Sequence, residues 1–220
     1  SSIGMDTIVT DHHSVSTPVP HAIALVNPSR PDSGYPYDGL TGAGLSFKLA
    51  EALWSAIGRE KPLHLPELAA LGTVADMAPL RGENRVLAKE GLEALRRTRR
   101  PGLLALLKQV GLSPPDLDHE SIPFVIAPRL NAPGRIDSAD LSFRLLTCED
   151  AEEGETLAEA RERQSGLRQR LTQEVLGRAR EEAGRQAQQK RLLLVASEEF
   201  PPGVNGLVAT RLVEAFYLPA

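Results

Sequence analysis

Ile8-Val9-Thr10-Asp11-His12-His13-Ser14-Val15 is the stretch that decides how this chain folds. An apolar, β-branched run leads directly into an acid and two adjacent imidazoles. Met5–Thr10 reads as a short buried strand, and Ala22–Val26 reads as a second. A polar turn carrying Pro18, Pro20 and His21 separates them. Open α/β sheets keep their chemistry outside the carboxyl ends of the strands, which is where Asp11, His12 and His13 stand. The expected fold class is therefore α/β, built on a parallel sheet.

Working outward, Asn27–Asp38 holds three prolines and a glycine and reads as a loop. Thr41 opens Gly42–Ile57, where Leu45, Leu49, Ala52 and Leu53 recur at helical spacing and Trp54 is expected in the core. Pro66–Ala75 is an apolar helix stopped by Pro79. Asn84 is placed to cap Arg85–Arg97, and Pro101 to begin a helix over Gly102–Val110. Ser121–Ile126 leads into Pro128–Arg135, read as an ordered turn, and Asp140–Leu146 is a short helical element. Asp150–Gln189 differs from all of this. It is rich in Glu, Arg, Gln and Ala, lacks proline, and has only a thin apolar stripe at Leu157, Leu167, Leu171, Val175 and Leu176. One long, mostly exposed helix is expected there, a natural connector. Leu192–Ala196 then reads as a new buried strand and Gly203–Phe216 as a glycine-led helix. The domain plan is a catalytic portion over 1–149, a connecting helix over 150–190 and the beginning of a smaller α/β domain over 191–220.

The totals bound the classes. The chain has 220 residues, 41% hydrophobic and 25% charged, which predicts a globular core rather than global disorder. A net charge of -4 excludes a wholly basic nucleic-acid coat but leaves room for a local basic cleft. Cys148 is the single cysteine, so no internal disulfide forms, and it reads as a bystander at a helix start rather than a nucleophile. No run approaches the roughly 20 apolar residues that span a bilayer. No basic segment followed by an apolar run marks a signal peptide. The expected location is cytoplasmic, with no membrane partner.

Imidazole and carboxylate together suit manganese, zinc, iron or cobalt, whereas Mg²⁺ prefers oxygen. On an extended backbone the side chains of His12 and His13 point to opposite sides. One imidazole is then expected on a metal and the other toward substrate, with Asp11 accepting a hydrogen bond from an imidazole N–H. The tripeptide alone also occurs in ordinary structure. Asp76 closes the very apolar stretch that begins at Leu71. It is read as a metal ligand, with capping of the next turn as the alternative, because a buried unpaired carboxylate is costly. A site with two ions needs further acids, expected upstream of Ser1. Arg129 and Arg135 flank Asn131, and their forked donors suit phosphate oxygens, with a solvated turn as the alternative. Gly203, Val204, Asn205 and Gly206 place backbone N–H groups at a helix start, with Arg211 further along it.

Taken together, IVTDHHSV at 8–15, AIALVNPSRPDSGYP at 22–36, LTGAGLSFKLAEAL at 40–53, LAALGTVADMAPLRGENR at 68–85, APRLNAPGRIDSADLSFRLL at 127–146 and GVNGLVATRLVEAFYLP at 203–219 resemble the DHH phosphoesterase family. Within it they are most similar to the branch of single-strand-specific exonucleases. The resemblance implies metal-dependent hydrolysis of phosphodiesters in single-stranded DNA, from the 5′ end, in repair and recombination. It implies Mn²⁺ or Mg²⁺, two ions in the complete enzyme. It makes His12 and Asp76 metal ligands, His13 a residue facing the scissile phosphate, and Asp11 its supporting acid. Arg129, Asn131 and Arg135 resemble the family's cluster near that phosphate, and the 203–206 segment with Arg211 a holder of DNA phosphates. The implied partners are single-stranded DNA, a helicase and a single-strand binding protein.

Two departures stand out. The family's earlier Asp-rich motifs are absent, so the chain is expected to be a fragment lacking the start of its catalytic domain and truncated after Ala220. Relatives carry a histidine just before the glycine run, where this chain has Phe200-Pro201-Pro202. Two rivals remain. One is a DHH phosphoesterase acting on short oligonucleotides, cyclic dinucleotides or pyrophosphate. The other is a non-catalytic replication scaffold, which the joint presence of Asp11, His12, His13 and Asp76 argues against.

Overall fold

The computed structural model describes residues 4–15, 17–136, 139–188 and 190–220, and the side chains of 132–136 also lie outside the description. By its contacts the chain divides into two units, Ser1–Arg99 with Val110–Ala127, and Arg100–Gln109 with Pro128–Ala220. It is helix-rich, with a small parallel sheet.

In the first unit, β1 (Ile8–Thr10) pairs in parallel with β2 (Ala24–Val26), with Ile8 opposite Ala24 and Thr10 opposite Val26. Both strands are shorter than their apolar runs. The pairing continues only through Ile23 N–H to the Thr7 carbonyl and Asp11 N–H to the Val26 carbonyl, at 2.8 and 3.0 Å. That last bond fixes Asp11 at the carboxyl end of β1.

α1 (Gly42–Ala56) starts where Thr41 accepts the N–H of Gly44 at 3.1 Å. Such a cap contributes about 1 kcal/mol. Leu45 is buried but Leu53 is exposed, and Trp54 is half-buried rather than in the core. α2 (Pro66–Ala75) ends before Pro79, at the Asp76 cap, where Met77 takes a left-handed φ of 58°. α3 (Gly82–Leu95) begins earlier than expected, and Asn84 does not cap it. Asn84 is wholly buried inside the helix, and its amide donates to the carbonyls of Gly39 and Pro79 at 2.7 and 3.2 Å. A tertiary demand for donors overrides its capping preference. Two glycines set the helix spacing. A Cβ on Gly91 would sit 2.2 Å from the Ala70 methyl, and one on Gly72 would sit 2.3 Å from the Ala43 methyl. α1, α2 and α3 approach that closely only because those positions lack side chains.

In the second unit, α4 (Pro101–Gln109), α6 (Asp140–Thr147) and the first part of α7 (Ala151–Ala187) pack together. Asp150 caps α7 by accepting the N–H of Glu153 at 2.8 Å. The expected turn at Pro128–Arg135 is instead α5 (Ala127–Ile136), a continuous helix that follows a π-turn at Ile122–Ile126. Pro128 is tolerated because the first turn of a helix needs no N–H from it. Cys148 ends α6 rather than starting a helix, and burial pushes its thiol pKa up, which suits an inert role.

The far end of α7 packs on α8 (Pro202–Phe216) around Val175, Leu176, Ala179, Ala183, Leu193, Val204, Val208 and Leu212. Leu192–Ala196 forms no strand among the described residues. A strand needs a ladder partner. Here Leu193 N–H goes to the Pro219 carbonyl at 2.8 Å, and the Gln186 amide exchanges two bonds with Leu194 at 2.9 and 3.0 Å.

Candidate metal centre

The chain turns sharply after β1, and one carboxylate oxygen makes the turn. Asp11 Oδ1 accepts the backbone N–H of His12 at 2.7 Å and that of His13 at 3.2 Å, and lies 2.7 Å from His13 Nδ1. This is an Asx-type turn, in which a short acidic side chain replaces a backbone acceptor. It overturns the expectation that the two imidazoles point apart. The backbone is bent, and the rings lie 4.2 Å apart at 37°. The donors hold the Asp11 carboxyl well below its usual range, at about 2, with the His13 side-chain bond first and the two N–H groups next. The acid supports His13, since its distance to His12 Nδ1 is 3.9 Å, too long for a hydrogen bond.

Asp76 arrives from the C-terminal end of α2, where the helix dipole disfavours a carboxylate. Its Oδ2 lies 3.8 Å from His12 Nε2, and its side chain is 54% exposed. The burial argument made from sequence therefore does not apply. Asp76 projects past the helix end toward His12. Ligand atoms Asp11, His12 and His13 all lie within 4.8 Å of one another. Around an octahedral ion with bonds of about 2.1 Å, ligand atoms stand about 3 to 4 Å apart. His12 Nε2 and Asp76 Oδ2, 3.8 Å apart, therefore fit as neighbouring ligands of a divalent cation of mixed nitrogen and oxygen preference. Met77, just after Asp76, holds its strained left-handed φ where strain often accompanies function.

Several supporting residues escaped the sequence reading. Asn27 is buried, donates to the His13 carbonyl at 2.9 Å and accepts the Ser29 N–H at 2.8 Å. Ser29 Oγ reaches the His12 carbonyl at 3.4 Å and that of Asp38 at 3.3 Å. The Asn27–Asp38 loop thus clamps the histidine turn. Gly42 at the start of α1 packs on the His12 ring, where a Cβ would meet Cε1 and Nδ1 at 3.3 Å. Thr41 and Thr73 join α1 to α2 through buried hydroxyls 3.1 Å apart. The only signal for these in the sequence was their place beside the motif.

The remaining candidates lie in the second unit. Arg129 and Asn131 stand two positions apart on α5, about 200° around the helix, so they do not share a face. Arg129 Nε is 4.0 Å from Glu162 Oε2, and Asn131 is exposed. The side chain of Arg135 lies outside the described residues. The 203–206 segment is the first turn of α8, the helix start expected from the sequence. Val204 is buried and its N–H goes to the Pro201 carbonyl at 3.1 Å, while Asn205 and Gly206 are exposed. Arg211 pairs with Glu214 at 2.8 Å. Among the described residues, no helix is long and apolar enough to cross a membrane.

No protein-family model matches the chain. It is similar to the single-stranded-DNA-specific exonuclease RecJ of Bacillus subtilis, 42% identical over 218 residues that cover 99% of this chain and 27% of that protein. The RecJ of Thermus thermophilus is 36% identical over 98% of this chain and 31% of its own length. The chain spans less than a third of either curated relative. A crystal structure of Thermus thermophilus RecJ in complex with Mn²⁺ superposes with a TM-score of 0.86 at 35% identity, over 99% of this chain and 32% of that one. The same protein in complex with Mg²⁺ gives a TM-score of 0.80.

Proposed function

We propose that the chain, which is similar to the RecJ exonucleases, forms part of a DHH-family, metal-dependent exonuclease of single-stranded DNA. The observation that carries this reading is the convergence of His12 and Asp76, from β1 and α2, to 3.8 Å. Nothing local brings these residues together, and the arrangement leaves an acid at the wrong end of a helix dipole unless a cation sits there. Mn²⁺ or Mg²⁺, two ions in the complete enzyme, would supply an activated water and charge neutralisation at phosphorus.

The chain's own residues supply the rest. His12 and Asp76 hold the cation. Asp11 fixes the turn and the His13 ring, so His13 faces the phosphate with a defined nitrogen. Arg129, with Asn131 and Arg135 on the same helix, offsets the charge that develops on the phosphoryl oxygens. Gly203, Val204, Asn205 and Gly206, with Arg211, hold a backbone phosphate farther along the strand. By role, 1–149 is the catalytic portion, 150–190 the connecting helix and 191–220 the beginning of the accessory domain, a division distinct from the one that contacts give. Digestion proceeds from the 5′ end, in repair and recombination in the cytoplasm, beside a helicase and a single-strand binding protein.

The test is digestion of end-labelled DNA by the full-length protein with Mn²⁺. Single strands should be degraded from the 5′ end and blunt duplex should survive. Equal loss of both substrates, or a preference for cyclic dinucleotides or pyrophosphate over the single strand, would overturn the reading.

A further inference from the structure

The start of α3 contributes no ligand to the centre, yet it is built at some cost. Asn84 is wholly buried among the leucines of its own helix, Leu87 and Leu95, and its Oδ1 has no hydrogen-bond partner among the described residues. An unpaired buried amide oxygen is unfavourable, and a leucine of similar volume would avoid it. What the amide contributes is a pair of donors. Its nitrogen faces two carbonyls, Gly39 at 2.7 Å and Pro79 at 3.2 Å, and only the donor end of an amide can serve both. Those carbonyls belong to segments beside the proposed ligands. Pro79 lies three residues after Asp76, on the chain that leaves α2. Gly39 lies three residues before Gly42, which packs on the His12 ring. One side chain thus ties the segment that carries Asp76 to the segment that backs His12.

Glu83, next to Asn84, makes a second tie. Its Oε2 accepts the Tyr35 O–H at 2.7 Å, and its Oε1 lies 3.3 Å from Lys48 Nζ on α1. Tyr35 belongs to the Asn27–Asp38 loop, which holds the carbonyls of His13 and His12 through Asn27 and Ser29. Partial burial, and then the bond to Glu83, push the Tyr35 pKa up to about 12, so the phenol keeps its proton and remains a donor. Gly82 completes the turn. It takes a left-handed φ of 50°, and a Cβ there would meet the Tyr37 ring of the same loop at 2.8 Å. Three successive residues therefore hold the three segments that surround the histidine turn and Asp76.

We propose that Glu83 and Asn84, in the first turn of α3, are positioning residues of the metal centre: Asn84 sets Asp76 against His12, and Glu83 holds down the loop that clamps the histidine turn. The inference rests on the reading of His12 and Asp76 as metal ligands. Both residues grip the chain that presents the ligands, not the ion. Without either tie the spacing of His12 and Asp76 is free to drift, and an ion with strict coordination geometry is bound less well.

The test is calorimetric titration of the full-length protein with Mn²⁺, well below the melting temperature of each variant. Asn84→Leu keeps the volume and deletes both donors. It should bind Mn²⁺ about tenfold more weakly, the lower end of what loss of a supporting contact costs. Its binding of a short oligothymidylate in a chelator should stay at the wild-type value, which general damage to the fold would not allow. Tyr35→Phe should weaken Mn²⁺ binding about threefold, the share of one hydrogen bond. That loss should vanish when Glu83→Ala is already present, because both changes break the same bond. Glu83→Gln, which still accepts from Tyr35, should restore the affinity that Glu83→Ala loses. If Asn84→Leu does not fold, the Tyr35 and Glu83 variants, both at positions open to water, decide alone. Wild-type Mn²⁺ affinity in folded Asn84→Leu would overturn the inference, as would losses in Tyr35→Phe and Glu83→Ala that simply add. Mn²⁺ affinity that survives His12→Ala and Asp76→Ala would instead overturn the reading of the metal centre itself.

Discussion

The histidine turn and the arginines that meet Glu162 handle charge in opposite ways. In the first, short side chains on a bent loop are fixed by backbone hydrogen bonds, with Asp11 holding two N–H groups and Asn27 holding the carbonyl of His13. In the second, the long guanidiniums of Arg129 on α5 and Arg161 on α7 stand on rigid helices and share Glu162. On the proposed function, the difference follows from what each would grip. A small divalent ion demands ligands placed within a few tenths of an ångström. A phosphate on a flexible strand tolerates more, and gains from the adaptable fork of arginine.

The contrast can be broken by removing one part of each. In the full-length protein, His12→Ala and Asp76→Ala should lower metal occupancy and turnover together, by more than the roughly 10–100-fold that loss of an outer supporting contact costs. Metal analysis beside single-turnover cleavage would show it, and normal metal content in both variants would remove them from the centre. Arg129→Ala should leave metal affinity intact and slow cleavage by roughly 10–100-fold, with kcat falling more than KM rises. Loss of metal in that variant would erase the distinction between the two regions.

Smaller effects sharpen it. Asn27→Ala should weaken metal binding about tenfold while leaving oligonucleotide binding in a chelator unchanged. Calorimetric titration and anisotropy would separate the two. In metal-free protein, carboxyl NMR should find Asp11 titrating at about 2, and His13→Ala should raise that midpoint toward the ordinary 3.8 because the strongest donor is gone. The lowered value means that the order Asp11 gives the turn is present above pH 3.8 and is lost as pH falls through about 2. An Asp11 midpoint that does not move in His13→Ala would show that the backbone N–H groups alone make the turn.

Much of the fold was legible where local rules and packing agree. Thr41 opens its helix in sequence and in structure, and Pro66 and Pro101 begin helices as expected. The long helix, expected over 150–189, runs over Ala151–Ala187. Local rules failed where a distant group intervened. Asn84 is drawn inside a helix by carbonyls from another segment, and Leu192–Ala196 has no ladder partner among the described residues. The two imidazoles were expected apart because extended geometry was assumed, and only the Asp11 bonds reveal the bend. Arg161, buried on α7, was illegible for a simpler reason. On a helix so rich in arginine, nothing local tells the buried one from those in water.

Gly72 has a bearing on how accurately the centre is built. It lies one turn before Asp76, and its bare backbone meets the Ala43 methyl, whose neighbour Gly42 packs on the His12 ring. One seat therefore sets the gauge between Asp76 and His12, as a shim sets the gap between two machined faces. Thickness added at that seat, a single methyl, would move Asp76 and His12 apart together, with no change to either residue.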